Sequence, residues 1–150
     1  MVDVSGKELS LRTAEASCVI QCPSRIVEAI FDPHIKINLK GDIIGCAKIA
    51  GIMAAKKTHE LVPMCHQIPL NSVNIEIDRR SHDCIGIRGI TRAFYRTGVE
   101  MEALTAVSVA ALTVYDMTKS ALKGTGDKII IREITLDSKE VDTSDSDRYS

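Results

Sequence analysis

Aromatic side chains are scarce in this chain: two Phe, three Tyr and no Trp, 3% of 150 residues. A platform for stacking nucleobases needs several such rings, so the composition argues against a single-strand nucleic-acid reader. Charge of one sign is lacking too. Nineteen Lys and Arg face twenty Asp and Glu, a net charge of −1, which gives no global field to draw in nucleic acid or a membrane surface. No apolar run reaches the ~18 residues that a membrane-spanning helix needs. The opening stretch MVDVSGKELS carries Asp3 and Glu8 and has no apolar core of signal-peptide length. The five cysteines (Cys18, Cys22, Cys46, Cys65, Cys84) are odd in number and show no C-x-x-C spacing. That favours reduced thiols in a cytoplasmic protein over a disulfide framework or a zinc site, and no metal centre is expected. GxxxxGK[ST] is also missing, and KGTGDK at 123–128 has neither its spacing nor a following helix. A phosphorylated ligand would therefore have to be held by scattered cations: Arg12, Lys40, Lys56, Lys57, Arg96 or Lys119.

What is present is enough for one domain with a sizeable core. Residues 1–12 are polar and are expected to be loosely held. A first strand is predicted from Ala14 to Cys22, and Pro23-Ser24 then starts a short helix with Ser24 as N-cap, stopped by Asp32-Pro33. Asp42 is placed to cap a second helix, IIGCAKIAGIMAAKK. The small residues Gly45, Ala47, Ala50, Gly51, Ala54 and Ala55 suit it to close contact with another backbone. LVPMCHQIPLNS reads as an irregular loop, with Pro63 and Pro69 on either side of Cys65-His66. Residues 71–79 alternate Val73, Ile75 and Ile77 with polar side chains, a half-buried strand. Residues 84–95 form its hairpin partner, where Gly86 and Gly89 suggest bulges. A long helix then runs to Leu122, followed by a glycine turn and a last strand over 128–136. The tail from Asp137 to Ser150 is polar and is expected to be disordered. Strand, two helices, strand, strand, helix, strand is the order of an α+β fold. It corresponds to a ferredoxin-like split βαβ with an antiparallel sheet and one additional helix.

The long helix is the most informative stretch. In RTGVEMEALTAVSVAALTVYDMTKSAL, Ala103, Leu104, Ala106, Val107, Ala110, Ala111 and Val114 cover so much of the circumference that burial nearly all round is expected. Glu100 and Glu102 at its start suit the helix dipole, and equally suit a general acid–base pair. Being two apart, they diverge by roughly 200° on a helix and would share a face only in an extended turn. Asp116 sits within apolar sequence, where an unpaired buried charge costs several kcal/mol. Lys119, three residues on, can pair with it, and a buried pair of this kind poises a lysine for proton transfer. His66 can be read as a hydrogen-bonded structural histidine. With Cys65 beside it no dyad follows, since adjacent side chains usually point apart. His34, His59 and His82 are assigned no role. Glu102 and Asp116 are fourteen residues apart, or ~21 Å along a helix, too far for one small-molecule site. Two antiparallel copies about a two-fold axis would bring the start of one helix beside the end of the other.

MVDVSGK, KGD followed by AKIAGIMAAKKT, LVPMCH and TGVEMEALTAVSVAALTVYDMTK resemble the molybdenum cofactor biosynthesis protein C family, the cyclic pyranopterin monophosphate synthases. The resemblance covers residues 1 to about 136 as a single catalytic domain. It implies the ferredoxin-like fold with an added helix, and a homohexamer built as a trimer of dimers with sites at the dimer interface. It further implies conversion of 3′,8-cyclo-7,8-dihydroguanosine triphosphate to cyclic pyranopterin monophosphate with release of pyrophosphate, a lyase reaction. No resident cofactor is implied, and whether Mg²⁺ accompanies the triphosphate stays open. The family's site residues fall on Arg12, Lys40, Cys65, His66, Glu100, Glu102, Asp116 and Lys119. Arg12, Lys40 and His66 would hold the triphosphate, with Cys65 beside them. Lys119, oriented by Asp116, would move protons, and Glu100 and Glu102 would bind the guanine-derived ring or relay protons. Gln67 stands where the family has proline, and Tyr95 where it has glycine. Leu136-Asp137-Ser138-Lys139-Glu140 replaces a lysine- and glycine-rich segment of the KSGGKSG type, of which Lys139 could replace one lysine. The altered tail suggests the alternative of a weakened relative that binds a nucleotide or pterin.

Overall fold

The computed structural model describes residues 1–35 and 37–143. The elements run β1 (Ser10–Gln21), α1 (Ser24–Phe31), α2 (Ile43–Ala55), α3 (Thr58–Leu61), β2 (Ser72–Arg79), β3 (Cys84–Tyr95), α4 (Glu100–Thr118), a 3-10 turn (Lys119–Leu122) and β4 (Ile130–Asp142). The four strands form one antiparallel sheet in the order β2-β3-β1-β4, so the expected α+β, ferredoxin-like arrangement holds. Alternation along β1 sends Ala14, Ala16, Cys18 and Ile20 into the core beneath the helices. Burial pushes the Cys18 thiol up to about 12 and the Cys22 thiol to about 11, as inert core thiols behave.

Local chemistry explains most boundaries. Asp42 caps α2, its side chain accepting from the Gly45 amide at 2.9 Å. Ser24 does not cap α1; Pro23 occupies that position and its carbonyl receives the first helical amides. Gly51 is where α2 meets α4. A Cβ there would lie 2.8 Å from the Ala106 carbonyl oxygen and 3.3 Å from the Ala110 Cβ, which realises the close approach expected of the small-residue helix. Because that oxygen belongs to backbone, Gly51→Val is expected to destabilise the fold by about 1–3 kcal/mol, read as a lower urea midpoint. An unchanged midpoint would mean that the two helices separate easily.

Gly86 and Gly89 do not mark bulges, since both pair in continuous register with β1 and β2. Gly89 instead makes room for α4, for a Cβ there would meet Val107 Cγ1 at 2.8 Å. The register shifts occur between β1 and β4, where Glu133 has φ 56. β4 also corrects the expected domain end at 136. Residues 137–142 continue the strand, with Lys139 opposite Ala14 and Val141 opposite Arg12. The remainder of the tail, 144–150, lies outside the described residues. At the other end, Ser10–Arg12 already belong to β1, and Arg96 Nη1 donates to the Ser5 and Lys7 carbonyls at 2.5 and 2.9 Å. The first twelve residues are therefore better anchored than their composition indicates.

α4 is not buried all round. Its inner faces pack on the sheet and on α2, but Met101 (39%), Leu112 (58%) and Tyr115 (38%) are exposed on the third. With half-buried Thr105 and Ser108 they recur at steps of four and three, one continuous stripe. Ile49 and Met53 of α2 are exposed as well.

Candidate functional site

Seven of the eight predicted site residues fall into two groups, one at each end of α4. At the start, Thr97-Gly98-Val99 turns the chain from β3 into the helix, and Thr91 Oγ1 donates to the Val99 carbonyl at 3.0 Å. Glu100 and Glu102 occupy the first turn, where the helix dipole favours carboxylates. The Glu100 carboxylate folds back over Gly98, in space that a Cβ would take. A cavity of about 340 Å³ opens here, lined among others by Lys7, Cys65, His66, Glu100 and Glu102. Although the two glutamates diverge on the helix, both touch this cavity because it wraps around the helix end. Cys65 and His66 both reach it too, since the loop between the prolines is irregular enough to turn adjacent side chains the same way. His66 is half-buried and its Nε2–H donates to the Val2 carbonyl at 2.8 Å.

Glu102, not Asp116, is the buried carboxylate. It is 3% exposed, and burial raises its pKa to about 7; its own backbone amide offsets part of this, and the Glu100 charge adds to it. Burial first, then the neighbouring Glu102 carboxylate, pushes the Cys65 thiol up, so it is a poor nucleophile at neutral pH. Glu102 has its raised pKa only in the folded state. The folded protein therefore binds the extra proton between the usual carboxylate pKa and about 7, and stability falls as pH rises through that window. Glu102→Gln is expected to stabilise the fold at pH 8.5 by about 1–2 kcal/mol, a value discounted because the cavity is open to water. Little gain is expected at pH 5, and urea unfolding at both pH values checks the difference. An equal effect at both would contradict a neutral Glu102.

At the other end Asp116 lies between two ammonium groups, Lys119 Nζ at 2.6 Å and Lys40 Nζ at 2.9 Å. Lys40 is brought there by its loop, whose Lys40 amide donates to the Met117 carbonyl at 3.3 Å while Ser120 Oγ donates to the Asn38 carbonyl at 3.1 Å. The expectation of a buried Asp116 is corrected: its side chain is 53% exposed, and Lys119 matches it. Hydrogen bonds from Lys119 and Lys40, then their charges, lower Asp116 to about 2. The Asp116 hydrogen bond and charge raise Lys119, so the lysine is held protonated. It is a paired cation, not the desolvated neutral amine that burial would make.

Arg12 joins neither group directly; its Nε donates to the Tyr95 carbonyl at 3.4 Å, near the start of α4 but outside the cavity lining. Lys139, reached by the unexpected length of β4, lies 3.4 Å from Glu100. Lys7 also lines the cavity, and the only sequence signal for it was its place in MVDVSGK. Among the described residues no three His, Cys, Asp or Glu side chains converge as metal ligands.

The MoaC family sequence model matches residues 1–141. The chain belongs to the MoaC family. A probable cyclic pyranopterin monophosphate synthase of Sulfolobus acidocaldarius is 48% identical over 135 residues, 90% of this chain and 92% of that protein. The cyclic pyranopterin monophosphate synthase of Trichlorobacter lovleyi is 48% identical over 141 residues, 93% and 84% of the two chains. That of Staphylococcus haemolyticus is 45% identical over 143 residues, 93% and 85%. The Sulfolobus match extends over nearly the whole of both chains, and the family match runs to residue 141, well into β4.

Proposed function

We propose that this protein is a cyclic pyranopterin monophosphate synthase acting in molybdenum cofactor biosynthesis. It is a phosphorus–oxygen lyase that takes cyclised dihydro-GTP to cyclic pyranopterin monophosphate and pyrophosphate. The observation that carries this is the placement of two polar groups of family residues at opposite ends of α4, with an exposed apolar stripe between them. Glu102 and Asp116 stand ~21 Å apart along one helix. Burying the Met101–Leu112–Tyr115 stripe against its two-fold copy would bring the start of one α4 beside the end of the other. Sites then form at a dimer interface, and three such dimers make the hexamer.

In that composite site, forming a cyclic monophosphate requires a substrate hydroxyl to bond the α-phosphorus as the bond to the pyrophosphate oxygen breaks. Lys40, Arg12 and His66 neutralise the charge gathering on the departing pyrophosphate. Protonated Lys119 donates during purine ring opening and takes a proton back as the pterin closes, with Asp116 fixing its position and charge. Glu102, with a pKa near neutrality, relays protons at the guanine-derived ring, while Glu100 binds that ring's edge. Cys65 packs beside His66 in the cavity wall. This scheme uses no resident cofactor, and any Mg²⁺ would arrive with the triphosphate. Five free cysteines support a cytoplasmic enzyme.

Incubating the purified protein with cyclised dihydro-GTP, and following pyrophosphate and pterin together, tests the assignment. Stoichiometric appearance of both is expected. Tight binding without turnover would instead make the chain a relative that only holds a nucleotide or pterin.

A further inference from the structure

The N-terminal segment is composed like a loose arm, yet it is tied across the mouth of the cavity at two separate points. Arg96 donates from Nη1 to both the Ser5 and the Lys7 carbonyls. His66 donates to the Val2 carbonyl. Between these ties Asp3 accepts from the Ser5 amide at 2.8 Å and Val4 from the Lys7 amide at 3.1 Å, a tight turn that shortens the segment. Val2, Val4 and Lys7 thereby become part of the cavity wall, facing Glu100, Glu102 and His66. A segment with Val2 74% exposed has too little buried apolar area to hold this path by itself. Its anchors are polar.

Lys7 differs from the other lysines near the site. Lys40 and Lys119 are both paired with Asp116, and Lys139 with Glu100. Lys7 has no carboxylate within ion-pair distance among the described residues, and it stands at the rim of a cavity that already holds two glutamates. An ammonium left unpaired at such a rim suits an anionic ligand that spans the opening.

We propose that Lys7 is a further phosphate-binding residue of this enzyme. Arg96 is its positioning residue, clamping residues 1–9 as a strap so that the Lys7 ammonium faces the phosphate-bearing end of the substrate. The identity of that anion rests on the synthase reading above; the strap itself does not. Arg96 lies on the turn between β3 and α4, so the clamp is referenced to the same turn that sets Glu100 and Glu102.

Inorganic pyrophosphate is the probe, titrated calorimetrically into the full chain. Lys7→Met is expected to weaken its binding about tenfold, the effect of losing one charge-assisted contact. Arg96→Ala should cause a similar loss. Because Arg96 acts through Lys7, the double variant should bind no more weakly than Arg96→Ala alone. Arg96→Lys, which can remake one of the two carbonyl contacts, should recover part of the affinity. Hydrogen exchange adds a readout free of the ligand. Amides 2–9 should exchange faster in Arg96→Ala than in the native chain, and pyrophosphate should slow them in the native chain only. Additive losses in the double variant, or unaltered exchange at residues 2–9, would overturn the proposal. So would turnover of cyclised dihydro-GTP with no Lys7-dependent affinity for pyrophosphate, an outcome that leaves the synthase assignment standing. Lys7-dependent pyrophosphate binding without any turnover would do the reverse.

Discussion

Replacing Lys119 by alanine is expected to lower kcat about a thousandfold, the scale of a lost general acid–base group, and to leave the unfolding transition where it is. The side chain lies half in solvent at the end of α4 and packs against nothing in the core, so chemistry and stability separate cleanly at this position. Asp116 raises the lysine pKa, and the form present at neutral pH is the ammonium. Lys119→Arg keeps the charge but holds its proton too tightly to give it up. It should therefore restore substrate binding and not turnover. Asp116→Asn removes the hydrogen bond and charge that hold the lysine protonated. Activity that needs ammonium then disappears at lower pH, so the alkaline limb of the profile moves down while the acidic limb stays put. Full activity in Lys119→Ala, or an unmoved alkaline limb in Asp116→Asn, would remove the lysine from the proton-transfer role.

The elements set by local chemistry were legible from sequence. The Asp42 cap, the alternating hairpin of β2 and β3 and the glycine seam of α2 all appear where their residues indicate. Two elements fail because composition reports the chemistry of a face and not what pairs with it or covers it. β4 beyond Leu136 is almost wholly exposed, so it is written in Asp, Ser, Lys and Glu and reads as disorder. Its backbone is nevertheless paired with β1, and that pairing brings Lys139 to Glu100. α4 erred the other way. Its circumference is apolar enough to read as buried, while Met101, Leu112 and Tyr115 face outward. An apolar residue left at the surface looks the same in sequence as one matched to the core. The apolar neighbours of Asp116 likewise imply a buried charge, whereas it sits half in solvent between two lysines. Gly86 and Gly89 could mark either a bulge or a close neighbour, and only the packed helix decides between them.

In the proposed shared site, one end of α4 works with the other end of a different copy. Two inactive chains, Glu102→Gln and Lys119→Ala, should therefore complement each other when co-expressed with distinct tags and purified through both. A mixed dimer holds one site carrying both substitutions and one carrying neither. Random pairing makes about half of the dimers mixed, so the population should regain about a quarter of the native rate, and the doubly purified hexamers about the same, because nearly every randomly assembled hexamer carries both tags. Mixed dimers that co-purify but remain as inactive as their parents would place Glu102 and Lys119 in the same chain's site and contradict the shared-site account.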